Sequence, residues 1–329
     1  MTTIARPREL SGITPSGPLT LGNYLGALRR FVGRQRDVDG YYFVADLHAL
    51  TTAHDPARHR HLTRSTAATF LAAGLDPDRS TIFVQSHVRT HVALAYLLEC
   101  TAHIGELSRM IQFKEKGGMP GARASLFTYP CLMAADILLY EARTVPVGGD
   151  QSQHVELTRD LAQRCNSLYG DTFIVPALEP AALAARVADL QDPTIKMNKS
   201  APDDAAGVVR LLDTPDVVAR KVRRAVTDSD GQVRYDPEAK PGISNLLDVL
   251  AVLTGSDPVG VADQYTTYGA LKNATVEAVV AALDPIRTRH DELLSDPHQL
   301  DVILRDGAER ALHTSRPVLE RVERAMGVA

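Results

Sequence analysis

Two runs of consecutive apolar, β-favouring residues, 41–45 (YYFVA) and 81–85 (TIFVQ), are bounded by polar turns and separated by a helical stretch over 57–73. Strands that are apolar on both faces belong to parallel sheets covered by helices, so the pattern predicts a βαβ unit. A third run, 144–147 (TVPV), ends in Gly148, Gly149 and Asp150 and leads into a helical segment over 151–164, with apolar Val155, Leu157 and Leu161. Ligands of open α/β sheets gather beyond the carboxyl ends of the strands. That singles out Asp46, Leu47 and His48, then Ser86 and His87, then residues 148–151. Past about residue 201 the strand pattern stops. Helical periodicity takes over in 202–212, 215–226, 243–253, 276–294 and 299–326, while the Asp-, Gly- and Pro-rich segment 227–241 predicts one long surface loop.

Composition narrows the class. With 329 residues, 44% of them hydrophobic, the chain can bury a sizeable core and divide into two domains. Thirty-six Lys and Arg against 40 Asp and Glu leave a net charge of -4, so a polyanionic partner must be met by local patches. Arg220, Lys221, Arg223 and Arg224 form one candidate patch, and Arg305, Arg310, Arg316, Arg321 and Arg324 another. The three cysteines, Cys100, Cys131 and Cys165, lie far apart with no CxxC pair, which argues against a zinc site or a disulfide framework. The first twenty residues have no signal-peptide core, and no run approaches the roughly 18 apolar residues of a membrane span. A cytoplasmic protein with no membrane contact is expected. His54, His59 and His61 lie beside Asp55, Pro56 and several arginines, the setting of a solvated helix rather than of a metal site.

Three segments carry candidate chemistry. Residues 11–26 (SGITPSGPLTLGNYLG) put four glycines and two prolines before a helix over 24–31. Glycine permits close backbone approach, and a helix N-terminus offers free N–H groups to phosphate, though a plain turn has the same composition. Residues 195–200 (IKMNKS) place Lys196 and Lys199 three apart beside Asn198 and Ser200. Lysines on such a loop can follow phosphoryl charge, and a solvated basic turn is the plainer reading. Residues 126–141 (LFTYPCLMAADILLYE) form an apolar helix with Asp136 in its middle. At about 100° per residue Tyr129, Met133, Asp136, Ile137 and Tyr140 share one face, and a carboxylate there needs a donor, from the protein or from a ligand.

TLGN and KMNKS together resemble the two signatures of class I aminoacyl-tRNA synthetases, with Thr20 and Asn23 where two histidines usually stand. Nearly the whole chain is similar to the bacterial tryptophanyl-tRNA synthetases, through SGITPSGPLTLGNYLGAL, ELSRMIQFKEK, TYPCLMAADILLYEA, VPVGGDQSQHVELTRDLAQR, DPTIKMNKSAP and AVTDSDGQVRYDPEAKPGISNLL. The related tyrosyl enzymes differ in the first signature and normally extend further at the C-terminus. The resemblance implies an α/β fold with a Rossmann-like doubly wound parallel sheet and a C-terminal all-helical anticodon-binding domain. Its expected divisions are 1–200 with a dimerisation insertion, 201–295, and 296–329 as a helix packing back toward the catalytic domain.

The same resemblance implies activation of L-tryptophan with ATP and magnesium and transfer of the product to tRNA(Trp) by a homodimer, which segment 91–110 would join. Thr20, Asn23, Lys116, Lys196 and Lys199 are then catalytic. Thr14, Pro15, Ser16, Gly22, Gly148, Gly149, Asp150, Val187, Met197, Asn198 and Ser200 join Asn23 and the two loop lysines around ATP. Tryptophan falls to Leu10, His48, Tyr129, Met133, Asp136, Ile137, Val145, Val147 and Gln151, with Asp136 accepting the indole N–H. Leu10, Thr14 and Asn198 depart from the usual pattern, which raises a second, analogue-tolerant copy of the enzyme as a variant of this reading. The rival from another class is a non-catalytic paralogue that binds tryptophan or tRNA.

Overall fold

Five parallel strands, β1 (Arg8–Ile13), β2 (Asp39–Val44), β3 (Ser80–Val84), β4 (Thr144–Val147) and β5 (Ala177–Pro180), form one sheet in the order β3-β2-β1-β4-β5. The computed structural model describes residues 6–117, 121–142, 144–147, 152–180 and 187–329; at Lys116 and residues 144–147 and 178–180 only the backbone is described. The strand order turns back between β1 and β4, so the crevice beyond their carboxyl ends is the topological switch point, where a doubly wound sheet accepts a ligand. This is a Rossmann-like sheet followed by helices.

Alternation along β2 divides the interior. Tyr42 and Val44 point into one core with Leu21, Leu28, Phe31, Phe70 and Ile82, which continues into Leu246, Leu250 and Val279 of the C-terminal helices. Tyr41 and Phe43 point into a second core with Leu94, Leu98, Ala134 and Leu138. Both faces of the sheet are thus covered by helices, as the continuous apolar runs require.

The central strand β1 was not predicted, because Glu9 and Ser11 interrupt its apolar pattern. Glu9 is nevertheless buried, accepting from the Tyr42 hydroxyl at 3.1 Å and pairing with Arg34 at 2.9 Å. β5 was also unforeseen. The helix expected over 202–212 does not form. Residues 209–211 instead run antiparallel to 19–21, with Leu21 N–H donating to the Val209 carbonyl and Leu211 N–H to that of Leu19, both at 2.9 Å. The loop expected over 227–241 is present but held down. Buried Lys240 donates through Nζ to Asp228 at 2.8 Å, to the Tyr268 hydroxyl at 2.7 Å and to Asp230.

The tail helix, Pro297–Met326, lies along β3, the edge strand. A Cβ at Gly307 would come within 1.8 Å of the Ile82 carbonyl oxygen, so helix backbone and strand backbone are in contact there, and the helix covers the exposed edge.

Candidate active site

The first signature is built from the turn after β1. Thr20 caps the helix Leu21–Asn23: Asn23 N–H donates to Thr20 Oγ1 at 3.4 Å while Asn23 Oδ1 accepts from Thr20 N–H at 3.0 Å, a reciprocal capping box. The Thr20 hydroxyl is buried and also faces Asn23 Oδ1, at 3.1 Å. A π-helical turn, Tyr24–Leu28, widens the helix immediately afterwards.

The second signature folds back onto the first. Met197 N–H donates to the Val187 carbonyl at 3.0 Å, and both side chains are buried beside Gly22, where an added Cβ would lie 3.6 Å from Val187 and 3.9 Å from Met197. Lys199 Nζ donates to the Thr14 carbonyl at 2.6 Å, and Ser200 Oγ faces Ser16 Oγ at 3.3 Å. Asn198 Oδ1 accepts from Ser200 N–H at 2.9 Å, closing the turn. Burial, aided by the nearby Lys196 charge, pulls the Lys199 ammonium pKa down to about 8. Pro15 is buried, while Ser16, Lys196 and Asn198 are exposed. Thr14, Ser16, Gly22, Val187, Met197 and Lys199, expected around ATP from the sequence, thereby meet in one place.

Asp136 lies on the helix Ala124–Leu138, at the ends of β2 and β3. Its Oδ1 accepts from His91 Nδ1 at 2.6 Å and Gln85 Nε2 at 2.8 Å; its Oδ2 accepts from His48 Nε2 at 2.8 Å and the same Gln85 nitrogen at 2.9 Å. Burial pushes the carboxyl pKa up, hydrogen bonds from His48 and His91 pull it down, and the outcome is below the usual carboxylate range. An ionised carboxylate only accepts, so both histidines donate to it, and the other ring nitrogen of His91, Nε2, lies 2.8 Å from the Tyr140 hydroxyl. Thr90, the residue before His91, meets Ser315 Oγ of the tail helix through its Oγ1 at 2.8 Å. His48 sets its ring edge-on to Tyr129, centroids 6.1 Å apart, and the Tyr129 hydroxyl reaches His154. Leu10 and Ile137 are buried and Met133 partly so.

Gln85, His91 and His154 were missed as site residues, although Gln85 ends an otherwise apolar strand run, which is a legible signal. Gly148, Gly149, Asp150 and Gln151 lie outside the described residues, as do the side chains of Lys116, Val145 and Val147. The His54 and His59 rings lie 5.3 Å apart and tilted to each other at a helix start, and no group of three metal-ligating side chains is found among the described residues.

Residues 4–284 match the model of the class I tRNA synthetases for W and Y. The chain belongs to this family, in its bacterial tryptophanyl branch. It is 54% identical over 327 residues to tryptophan–tRNA ligase 1 of Streptomyces coelicolor, spanning 98% of this chain and 97% of that protein. The tryptophanyl-tRNA synthetase of Mycoplasma pneumoniae superposes with a TM-score of 0.90 at 35% identity over 98% of each chain. That of Campylobacter jejuni, solved as a complex with ADP and tryptophan, gives 0.83 at 31% identity over 97% of this chain and 99% of its own.

Proposed function

We propose that this chain, a tryptophan–tRNA ligase, activates tryptophan where its two signature loops meet beside the Asp136 helix. The observation that carries the reading is the Lys199 ammonium seated on the Thr14 carbonyl, which sets a cation of the second loop over the turn of the first. In the first step a tryptophan carboxylate oxygen attacks the ATP α-phosphorus, the bond from that phosphorus to the bridging oxygen breaks, and pyrophosphate leaves. In the second the terminal ribose hydroxyl of tRNA attacks the acyl carbon and AMP leaves. No protein nucleophile is needed, so the residues supply position and charge. Thr20 and Asn23 turn from each other toward phosphate and nucleotide. Gly22 and Val187 border the adenine, with Gly148, Gly149 and Asp150 at the ribose. Lys196 and Lys199 follow the departing pyrophosphate, with Lys116 as a helper. Magnesium comes with ATP, its ligands drawn from phosphates and water.

Tryptophan lies against Tyr129, Met133, Ile137, Val145 and Val147, its ammonium near Gln151. Both oxygens of Asp136 are already filled, so the indole N–H takes the place of one donor. That donor is His48, whose side chain is 14% exposed, whereas Gln85 and His91 are fully buried. Phenylalanine would leave the carboxylate short of a partner, a difference that hydrogen-bonding sites convert into rejection by roughly 10⁴–10⁵.

Transfer RNA is met by local charge. Arg220, Arg223 and Arg224 are exposed on or beside the helix Pro215–Arg223, as are Arg305, Arg316 and Arg324 on the tail. Lys221 leaves the patch, since it is buried and donates to Asp213 at 2.7 Å and to the Val208 carbonyl. Arg310 and Arg321 are likewise spent on the Pro77 and Thr172 carbonyls. Within 91–110, Leu94 and Leu98 face the core rather than a partner, and Val92, Tyr96 and Ile104 are the exposed apolar side chains offered to a second copy. Among the described residues no helix is long and apolar enough to cross a membrane, and a cytoplasmic site of action suits the free cysteines. The test is tryptophan-dependent exchange of pyrophosphate into ATP, then charging of tRNA. Saturable tryptophan binding with neither reaction would establish the non-catalytic paralogue instead.

A further inference from the structure

Arg210 stands outside both signatures and touches both. It is 5% exposed and sits in the segment 209–211 that pairs antiparallel with 19–21, directly opposite Thr20. Its guanidinium reaches across to the second loop: Nη1 donates to the carbonyls of Pro18 at 3.2 Å and Lys199 at 2.9 Å, and Nη2 to those of Ala201 at 2.7 Å and Pro202 at 3.2 Å. Gly17 permits this apposition, because a Cβ there would lie 2.2 Å from the Lys199 carbonyl oxygen. Below the arginine, Asp213 accepts from Arg210 N–H at 2.9 Å and from Lys221 at 2.7 Å, which carries the brace into the helix Pro215–Arg223.

On the upstream side the lysine loop is held by main-chain pairing, Asp189 to Ile195 and Met197 to Val187, and by short turns in which Asp189 Oδ1 accepts from Gln191 and Asp192 N–H and Asp192 Oδ1 from Thr194 N–H. Downstream, four carbonyls converge on two nitrogens of one planar fork: Pro18 just before the first signature, Lys199 within the second, and Ala201 and Pro202 just after it. An ammonium has three donors at a single point and cannot serve both pairs of acceptors.

We propose that Arg210 is a positioning residue for ATP activation: it ties the chain just after Lys199 to the first signature, so that the lysine loop pivots about residues 199–202 as Lys196 and Lys199 engage the phosphates. The proposal rests on the reading of those lysines given above. Loss of the fork leaves the loop lysines misplaced relative to Thr20 and Asn23, and a misplacement of about 1 Å can cost roughly 100-fold in rate.

The experiment compares Arg210→Ala, Arg210→Lys and Lys199→Ala in the full chain, by pyrophosphate exchange and by fluorescence titration with tryptophan. For Arg210→Ala the expected result is a loss of about 10- to 100-fold in kcat/KM for ATP, with tryptophan affinity within about twofold of the parent. Arg210→Lys should fail to restore the rate, and free guanidinium far below denaturing concentration should restore part of it in Arg210→Ala and none in Lys199→Ala. Normal ATP kinetics in Arg210→Ala beside a crippled Lys199→Ala would overturn the arginine's role alone. Equal losses for ATP and tryptophan with no guanidinium rescue would reduce Arg210 to a structural residue. Full exchange by Lys199→Ala would remove the reading of the loop on which the proposal stands.

Discussion

A buried carboxylate that already holds four hydrogen-bond contacts offers a ligand nothing until one donor leaves, and at Asp136 the donor with access to solvent is His48. Nitrogen-detected NMR of the imidazoles should therefore show the His48 ring signal moving when tryptophan is added while that of His91 stays. A stationary His48 would reject the exchange. Asp136→Ala should weaken tryptophan use by about 1–3 kcal/mol, the cost of an unpaired buried partner, with ATP use little changed; unchanged tryptophan affinity in the variant would sink the assignment. Lys199 gives a pH prediction. Its pKa is lowered to about 8, so the amine is protonated below that pH and progressively neutral above it. Attraction for phosphate is present below pH 8 and lost as pH rises through it. The pH profile of kcat/KM for ATP, which reports the free enzyme, should fall on its alkaline side near 8, and Lys199→Arg should remove that limb. Asp136 was legible because a carboxylate among apolar helix positions demands a partner. Its partners His91 and Gln85 come from other elements, 45 and 51 residues away, and no local spacing marks them.

Elements were readable where burial is uniform and unreadable where a polar group is buried by long-range pairing. β2 and β3 are apolar on both faces and stood out, whereas β1 hides Glu9 under the Tyr42 hydroxyl and the Arg34 guanidinium, contacts invisible to periodicity. The segment 202–212 has helix-like apolar spacing, yet its Val209 carbonyl and Leu211 N–H pair with Leu21 and Leu19 and its Gly207 carbonyl with Leu190, and tertiary pairing overrode the local pattern. The same segment supplies Arg210, so the misread element is the one that joins the two signatures. The tail helix was legible as a helix, but its docking depends on one glycine. Gly307→Ala would force a methyl into the Ile82 carbonyl and push the helix off β3. Overpacking of this kind typically costs about 1–3 kcal/mol, so denaturant unfolding should show a lowered midpoint with an unchanged slope. An undiminished midpoint would mean that helix and strand are less tightly apposed than the geometry gives.

Over the whole molecule, both cores span sheet and helices, and what they leave outside includes the apolar surface proposed for a dimer. Tyr96 is 66% and Ile104 77% exposed, next to exposed Val92, while their neighbours Leu94 and Leu98 are fully buried. Replacing Val92 and Tyr96 with aspartate should convert a dimer seen by sedimentation into monomer, and a parent chain already monomeric at micromolar concentration would reject the dimer. One global property of the sequence gives a further handle on function. The chain contains no tryptophan among its 329 residues, so it is dark where indole emits. Bound substrate is then the only indole in the complex. Its transfer from water to a pocket beside Tyr129, Met133 and Ile137 should shift emission to the blue, because an apolar surround relaxes less around the excited ring than water does. Titration should give a saturable signal, and Asp136→Ala should lower the occupied fraction at fixed tryptophan concentration. Tyrosine carries its polar group at a different place and leaves the carboxylate unmatched, so it should not displace the bound indole at comparable concentration. Ready displacement by tyrosine would overturn the assignment of Asp136 as the selective acceptor.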